Sequence, residues 1–411
     1  MGNQCVKPLG LDIPIPASMK KLCCLFISHF APERTRTDPH TGLPWYLSER
    51  TRFIGLWGKP EYRKVGFLEH CERVFEVNLN RAGWLNGTWA VVKLACLGYR
   101  PDVVICGVDE YSLALGWFAG KTVHAPVFCM IEDPPFTDRY LPPMGWTRRN
   151  ERQFRRLLVG KFLRSLSGIF CFVEKEVLRE FNIGLTPVYQ LMNGTSTKAL
   201  DWLRSRHRPR NRFSELRIGY VGALNRRQGI DDLLEIFAEA RRKEPLLRLR
   251  LIGPLEQDYA SDYQERIRNL ALDGNVEVTG WLPYERMLEK LQECHIGVYC
   301  NQPGEWVQVA QPLKICEYLA LCIPTVAWDY PGVRRLLDGG RLGILIPSGQ
   351  KSTFVDAIVR LADSNERGSF EAEIGVAIKT RWSSDYWYEE TLKGIMSFLS
   401  AGVNPENIKS N

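Results

Sequence analysis

Short runs rich in Val, Ile, Cys and Phe alternate along this chain with longer stretches whose apolar residues recur every three or four positions. The first pattern fits buried strands and the second amphipathic helices, so successive strand-helix units and parallel sheets are predicted. In the first half, 21–28, 74–79, 102–108, 125–131, 169–173 and 188–192 read as strands, and Trp84–Leu97 and Arg148–Leu166 as the clearest helices. Strands this apolar are covered on both faces. The run Arg-Ser-Arg-His-Arg-Pro-Arg-Asn-Arg at 204–212 offers only a proline ring for anchoring and reads as a linker. The alternation then restarts, with strands at 216–221, 247–252, 276–279, 296–300, 324–328 and 343–346. Helices are predicted between them at 230–243, 261–272, 284–294, 312–322 and 352–363.

The expected organisation is a loose leader at 1–19, a first Rossmann-like domain at 20–203, a basic linker at 204–215 and a second such domain at 216–383. Residues 384–411 read as a C-terminal helix placed to cross back to the first domain. Each half is an α/β, doubly wound parallel sheet, and ligands of such sheets bind at the carboxyl ends of the strands. Two facing edges make a cleft.

Length agrees, since 411 residues exceed the roughly 250–300 that one core supports. No apolar run approaches the length of a membrane-spanning helix, because Lys93 and the pair Asp109 and Glu110 interrupt the longest candidates. The Met-Gly start has Val6 where an acylation signal requires Ser or Thr. Fifty-four basic against 47 acidic residues give a net charge of +7, suited to an anionic ligand or surface. The 12 cysteines fall largely in apolar runs and form no Cys-x-x-Cys pair, which favours buried thiols in a reducing cytoplasm and no metal site.

The chemistry concentrates in Gln311 to Trp328. Pro312 suits the first turn of a helix, where its missing N–H costs nothing. The N–H groups of Leu313, Lys314 and Ile315 would then form an anion site, to which Lys314 adds a full charge. Glu317, one turn later, is suited to accept hydrogen bonds from vicinal hydroxyls. A diphosphate joined to a ribose offers both groups, although a surface helix with a stray Lys and Glu has the same residues.

The run Pro-Leu-Lys-x-x-Glu-Tyr-Leu-Ala-x-x-x-Pro-x-Val-Ala at 312–327 resembles the donor-binding signature of glycosyltransferase family 4 and its relatives, which have the two-Rossmann GT-B fold. In order, Gly219-Tyr-Val-Gly222, Leu251-Ile-Gly-Pro254, Val276-x-Val-Thr-Gly-Trp-Leu-Pro283 and Gly343-Ile-Leu-Ile-Pro347 are similar to strand-loop segments of that C-terminal domain. Asn193-Gly194, preceded by Glu151 and Ser167 to Glu174, is similar to the end of its N-terminal domain. The resemblance implies a retaining, hexosyltransferase-type transfer from a nucleotide diphosphate sugar to a hydroxyl acceptor, with no cofactor and no metal. It gives Glu317 to the ribose, the backbone at Leu313 and Lys314 to the diphosphate, and close approach to Gly222. Three positions depart from it: Val309 replaces a carboxylate, for which Glu305 is a poor substitute, and Ala223 and Gln228 replace basic residues. Arg226 and Arg227 are expected to supply the charge.

In the first half, Glu132 and Asp133 follow a buried strand at the cleft edge and are candidate catalytic or acceptor-binding groups, although Asp before Pro-Pro is also an ordinary turn. His29 closes the first strand at the same edge. Arg148 to Arg164 holds seven basic residues and one acidic residue interleaved with Phe154, Leu157, Leu158, Phe162 and Leu163. Such a helix reads either as a contact to an anionic membrane surface, on the inner face of a cytoplasmic membrane, or as the solvated face of a core helix. Glycan, lipid-linked and small-molecule acceptors all remain open, while nucleic acid is not expected because no recognition motif accompanies the charge. Two competing readings stand beside the transferase. One is an inactive nucleotide-sugar-binding partner. The other is a dinucleotide-dependent oxidoreductase, disfavoured because Gly219 to Gly222 is not a Gly-x-Gly-x-x-Gly turn.

Overall fold

The structure, a computed structural model, describes residues 22–28, 43–57, 70–77, 84–131, 146–194, 215–304, 306–378 and 382–400. Seven strands form the first sheet: β1 (Cys23–Ser28), β2 (Arg52–Trp57), β3 (Arg73–Glu76), β4 (Val103–Gly107), β5 (Val127–Ile131), β6 (Gly168–Cys171) and β7 (Val188–Gln190). Their order is β3-β2-β1-β4-β5-β6-β7 and every pairing is parallel. The second sheet comprises β8 (Leu216–Val221), β9 (Leu247–Ile252), β10 (Val276–Val278), β11 (Ile296–Tyr299), β12 (Thr325–Trp328) and β13 (Gly343–Ile346). It is also wholly parallel, in the order β10-β9-β8-β11-β12-β13.

Apolar periodicity sorts the helices of the first domain onto two faces. Helix α1 (Leu43–Arg50) buries Leu43 and Leu47 against Phe26 and Phe53 on one face. On the opposite face, α2 (Trp84–Cys96), α3 (Glu110–Val123) and α4 (Trp146–Leu163) bury Val91, Leu115 and Val159 over Ile27, Cys106 and Cys129. The second domain is wound by α5 (Ile230–Lys243), α6 (Ala260–Asn269), α7 (Tyr284–Gln292), α8 (Leu313–Ala320), α9 (Pro331–Leu336), α10 (Lys351–Ala362) and α11 (Ser364–Ala377). The last helix, α12 (Ser384–Ser400), packs Tyr388, Leu392 and Ile395 into the same cluster as α1, on the first sheet. Phe398 meets the Phe128 ring edge-on at 5.4 Å, and Tyr46 donates to Glu389.

The second half follows the sequence pattern within a residue or two at most ends, and its strongly periodic helices are found where predicted. Helices α1, α3, α9 and α11 and strand β2 were not anticipated. Strand β2 is six residues long, begins with an exposed Arg and is interrupted by Gly55, which hides its apolar run. That glycine is required: a Cβ there would lie 1.7 Å from the ring of Trp57, which is buried over it. The 204–212 linker and the leader lie outside the described residues. Cys24, Cys106, Cys129, Cys171 and Cys300 are buried and free, and burial pushes the Cys24 and Cys300 thiols up to about 12. No helix among the described residues is long and apolar enough to cross a membrane.

Because α12 completes the core of the first domain, Leu392→Ala should cost about 2–5 kcal/mol, the usual range for deleting a buried leucine. Calorimetry should show the first domain melting earlier; an unchanged thermogram would contradict this packing.

Candidate active site

Strand order reverses between β8 and β11, and the chain leaves those strands at Gly222 and Cys300. A doubly wound sheet opens a ligand crevice at such a reversal. Here the loop 222–229, the segment after Cys300 and the start of α8 come together. Gln302 N donates to the Arg227 carbonyl at 3.1 Å and the Cys300 thiol to the Gly229 carbonyl at 3.4 Å. The loop's shape is set from within: Asn225 Oδ1 accepts from Gln228 N at 2.8 Å, and Asn225 Nδ2 donates to Glu256 at 2.5 Å. Gly222 has φ +135° and Gly253 has φ +148°. A Cβ on Gly253 would lie 2.0 Å from the Gly222 carbonyl, and one on Gly222 would press at 3.1 Å on Lys314 Nζ. Two bare backbones are therefore needed to seat that lysine.

Lys314 Nζ donates to Tyr220 Oη and to Gln228 Oε1, both at 3.0 Å, and stands 4.3 Å from the centre of the Tyr220 ring and 5.6 Å from that of Tyr299. It has no salt bridge among the described residues; Glu317, one turn further along α8, favours its charged form. Burial lowers Lys314 to about 8, with Cys300 and Glu317 pulling the other way. Neutral partners and ring faces thus hold a cation at the mouth of a helix without neutralising it, which is an arrangement for capturing an anion. Gln228, which stands where the resembled family is basic, here orients Lys314.

Pro312 stands one position earlier than predicted, as the residue capping α8 (φ −71°, ψ 121°). The Ile315 N–H is already committed to the Pro312 carbonyl at 3.1 Å, so the open end of α8 presents the N–H groups of Leu313 and Lys314 but not that of Ile315. Arg226 and Arg227 part ways. Arg226 pairs with Asp262, lies 3.7 Å from Asp231 and faces the Tyr259 ring. Arg227 stacks toward Trp306 at 5.8 Å, with no ion pair among the described residues. His29, Glu132, Asp133 and Glu305 lie outside the described residues; β1 and β5 end at Ser28 and Ile131.

A seam that the sequence did not reveal joins this site to the first domain. Val309 is buried in the first domain's core, and its carbonyl accepts from Glu174 N at 2.7 Å. Gln311, 4% exposed, accepts from Asn193 N through Oε1 at 2.9 Å and donates to the Leu191 carbonyl through Nε2 at 3.1 Å. Asn193 Nδ2 donates in turn to the Gln311 carbonyl at 2.9 Å. Arg335 of α9 clasps the Glu174 carboxylate with two hydrogen bonds of 2.8 and 2.6 Å. Glutamine before Pro-Leu-Lys has no periodicity or motif that would single it out.

Two parallel, doubly wound domains, each a sheet with helices on its faces, are the architecture of the GT-B fold. Residues 215–364 match the family model of group 1 glycosyl transferases. The alpha-D-kanosaminyltransferase of Streptomyces kanamyceticus is 25% identical over 147 residues, and the match spans only 36% of each protein. HepE from Anabaena, solved with UDP and glucose, superposes with a TM-score of 0.65 at 15% identity, covering 92% of this chain and all of that one. A glycosyltransferase from Rickettsia africae gives 0.69 at 11% identity, covering 92% and 99%. Sucrose-phosphate synthase from Thermosynechococcus elongatus gives 0.67 at 15%, covering 93% and 100%.

Gln311→Ala leaves the Asn193 N–H and the Leu191 carbonyl buried without their partner, a loss of about 1–3 kcal/mol. Combined with Arg335→Ala, it should split the unfolding endotherm into two separable domain transitions. A single unshifted transition would show that the seam does not couple the domains.

Proposed function

We propose that the protein transfers a hexosyl group from a nucleoside diphosphate sugar to a hydroxyl acceptor, with retention of the anomeric configuration and no metal ion. The observation that carries the reading is Lys314, a partly buried cation with no salt bridge among the described residues, at the open end of α8. The diphosphate would lie against Lys314 and the N–H groups of Leu313 and Lys314, with Glu317 on the ribose hydroxyls and Arg227 at the rim. Charge building on the departing nucleoside diphosphate is stabilised by these fixed groups, which also supply the positive charge a metal would otherwise bring. The structures of Anabaena HepE with UDP and with UDP-glucose support a uridine donor. Retention follows the resemblance of the 312–327 segment, and Glu132, Asp133 and His29 are assigned to the acceptor side. We place the acceptor in glycan, polysaccharide or glycolipid assembly, with the basic α4 holding the enzyme at an anionic membrane surface on the cytoplasmic side.

Val309 favours one second reading, a nucleotide-sugar-binding partner without turnover, because a position where the resembled family has a carboxylate is spent on packing between domains. Release of sugar from UDP-glucose by the protein separates the two readings.

Calorimetry with UDP-glucose should show Lys314→Met and Glu317→Ala each weakening binding about ten- to a hundredfold, the equivalent of a charged hydrogen bond at roughly 1.5–3 kcal/mol. Normal affinity in both variants would remove the donor assignment.

The pH dependence has a definite sign. The protonated lysine binds the diphosphate, so affinity should be flat below the Lys314 value of about 8 and decline above it. The decline approaches about tenfold per pH unit and is absent in Lys314→Met. An equal decline in that variant would assign the titration elsewhere.

A further inference from the structure

Helices α2, α3 and α4 lie side by side on one face of the first sheet, α3 packing on both neighbours. Each crosses back over a parallel sheet, so the three run in the same direction. In each, an exposed apolar side chain stands one turn before an exposed lysine: Trp89 before Lys93, Trp117 before Lys121, and Leu157 before Lys161. Trp89 lies seven residues from the last residue of its helix, and Trp117 and Leu157 each lie six from the last residue of theirs. The apolar residues therefore form one row across the layer and the lysines a second row about 6 Å away, four residues at 1.5 Å each. Trp89, Trp117 and Leu157 are 66%, 40% and 73% exposed, and it is their grouping on one layer, not the exposure of each, that marks a surface for contact. Leu85 and Phe154 widen the row on the side away from the lysines. Within the three helices there are eight basic residues and two acidic ones, and one of the acidic pair, Glu110, is engaged by Arg155 at 3.3 Å.

We infer that this whole three-helix layer lies flat on an anionic lipid bilayer. The apolar row sits at the boundary between headgroups and acyl chains, and the lysine row sits on the lipid phosphates. The inference rests on the membrane reading given above for α4 and extends it to two helices that no charge-rich segment marks. Tryptophan combines a large apolar body with a polar N–H, and lysine lays its stem along apolar surface while its ammonium stays in the headgroup layer, so the paired rows match the two strata of a membrane interface. Nucleic acid would match the lysines but leave the apolar row in water. In this pose one helix thickness, about 10–12 Å, separates the first sheet from the bilayer, and the cleft opens along the membrane plane. An acceptor anchored in the membrane must raise its hydroxyl by that height to reach the sheet edge.

The test is flotation of the full chain with vesicles of phosphatidylcholine containing about one-third phosphatidylglycerol, a charge density at which each nearby lysine contributes about fivefold to partitioning. The wild type should float with these vesicles and remain behind with pure phosphatidylcholine. Lys93→Glu with Lys121→Glu, both outside α4, should reduce binding at least tenfold while leaving the melting temperature and UDP-glucose affinity unchanged. Brominated lipids should quench tryptophan fluorescence in the wild type, and much less after Trp89→Phe with Trp117→Phe. If the α2 and α3 variants float normally while Arg148→Glu with Arg152→Glu does not, α4 alone is the contact and the three-helix inference fails. If no form floats, the membrane reading fails as well, with donor binding unaffected. Dimerisation of the wild type that Trp89→Ala with Trp117→Ala abolishes would assign the layer to a second copy of the chain and overturn the inference.

Discussion

Residues 309–311 belong to the second domain by connectivity and to the first by packing, and much of the functional geometry depends on that double allegiance. Val309 fills a place in the first domain's core, Gln311 completes the hydrogen bonding of the strand end at Leu191 to Asn193, and α8 begins one residue later. The anion site is thus fixed to both halves of the molecule at once. Arg335 on Glu174 adds a second clasp from α9. With the Glu174 carboxylate only 3% exposed, that pair is costly to break and holds the domains in register.

The Lys314 cage shows how a departure from a familiar pattern is absorbed. Tyr220, Gln228 and Tyr299 supply an oxygen, an amide and a ring face without neutralising charge. One of the two basic positions missing from the loop, Gln228, is thereby turned into the support of a single cation. A basic residue at 228 would repel Lys314 at this distance; glutamine accepts from it. Concentrating the charge on one desolvated group makes the site more sensitive to proton concentration than one spread over several exposed arginines.

Most of the fold was legible, for a physical reason. Strands buried on both faces must be apolar throughout, and Pro312, Gly222 and Lys314 are each tied to a local backbone requirement. Where the signal failed, residues answered to partners distant in sequence. Gly55 clears room for Trp57, which blurs β2; Gln311 matches groups more than a hundred positions away; and Arg226, adjacent to Arg227, is drawn to Asp262 rather than the crevice. The prediction of three open N–H groups at α8 failed by one because a tight first turn consumed the Ile315 donor.

The return of α12 to the first sheet also sets an order of events at the ribosome. Among the described residues, Phe26, Phe128 and Phe170 line a sheet face whose cover α12 completes. About two hundred residues must be translated after β7 before that cover exists, which at roughly 5–20 residues per second is about 10–40 s. During that interval the second domain can fold while the first, although older, still shows an aromatic face to solvent. The half of the molecule made first is the half completed last.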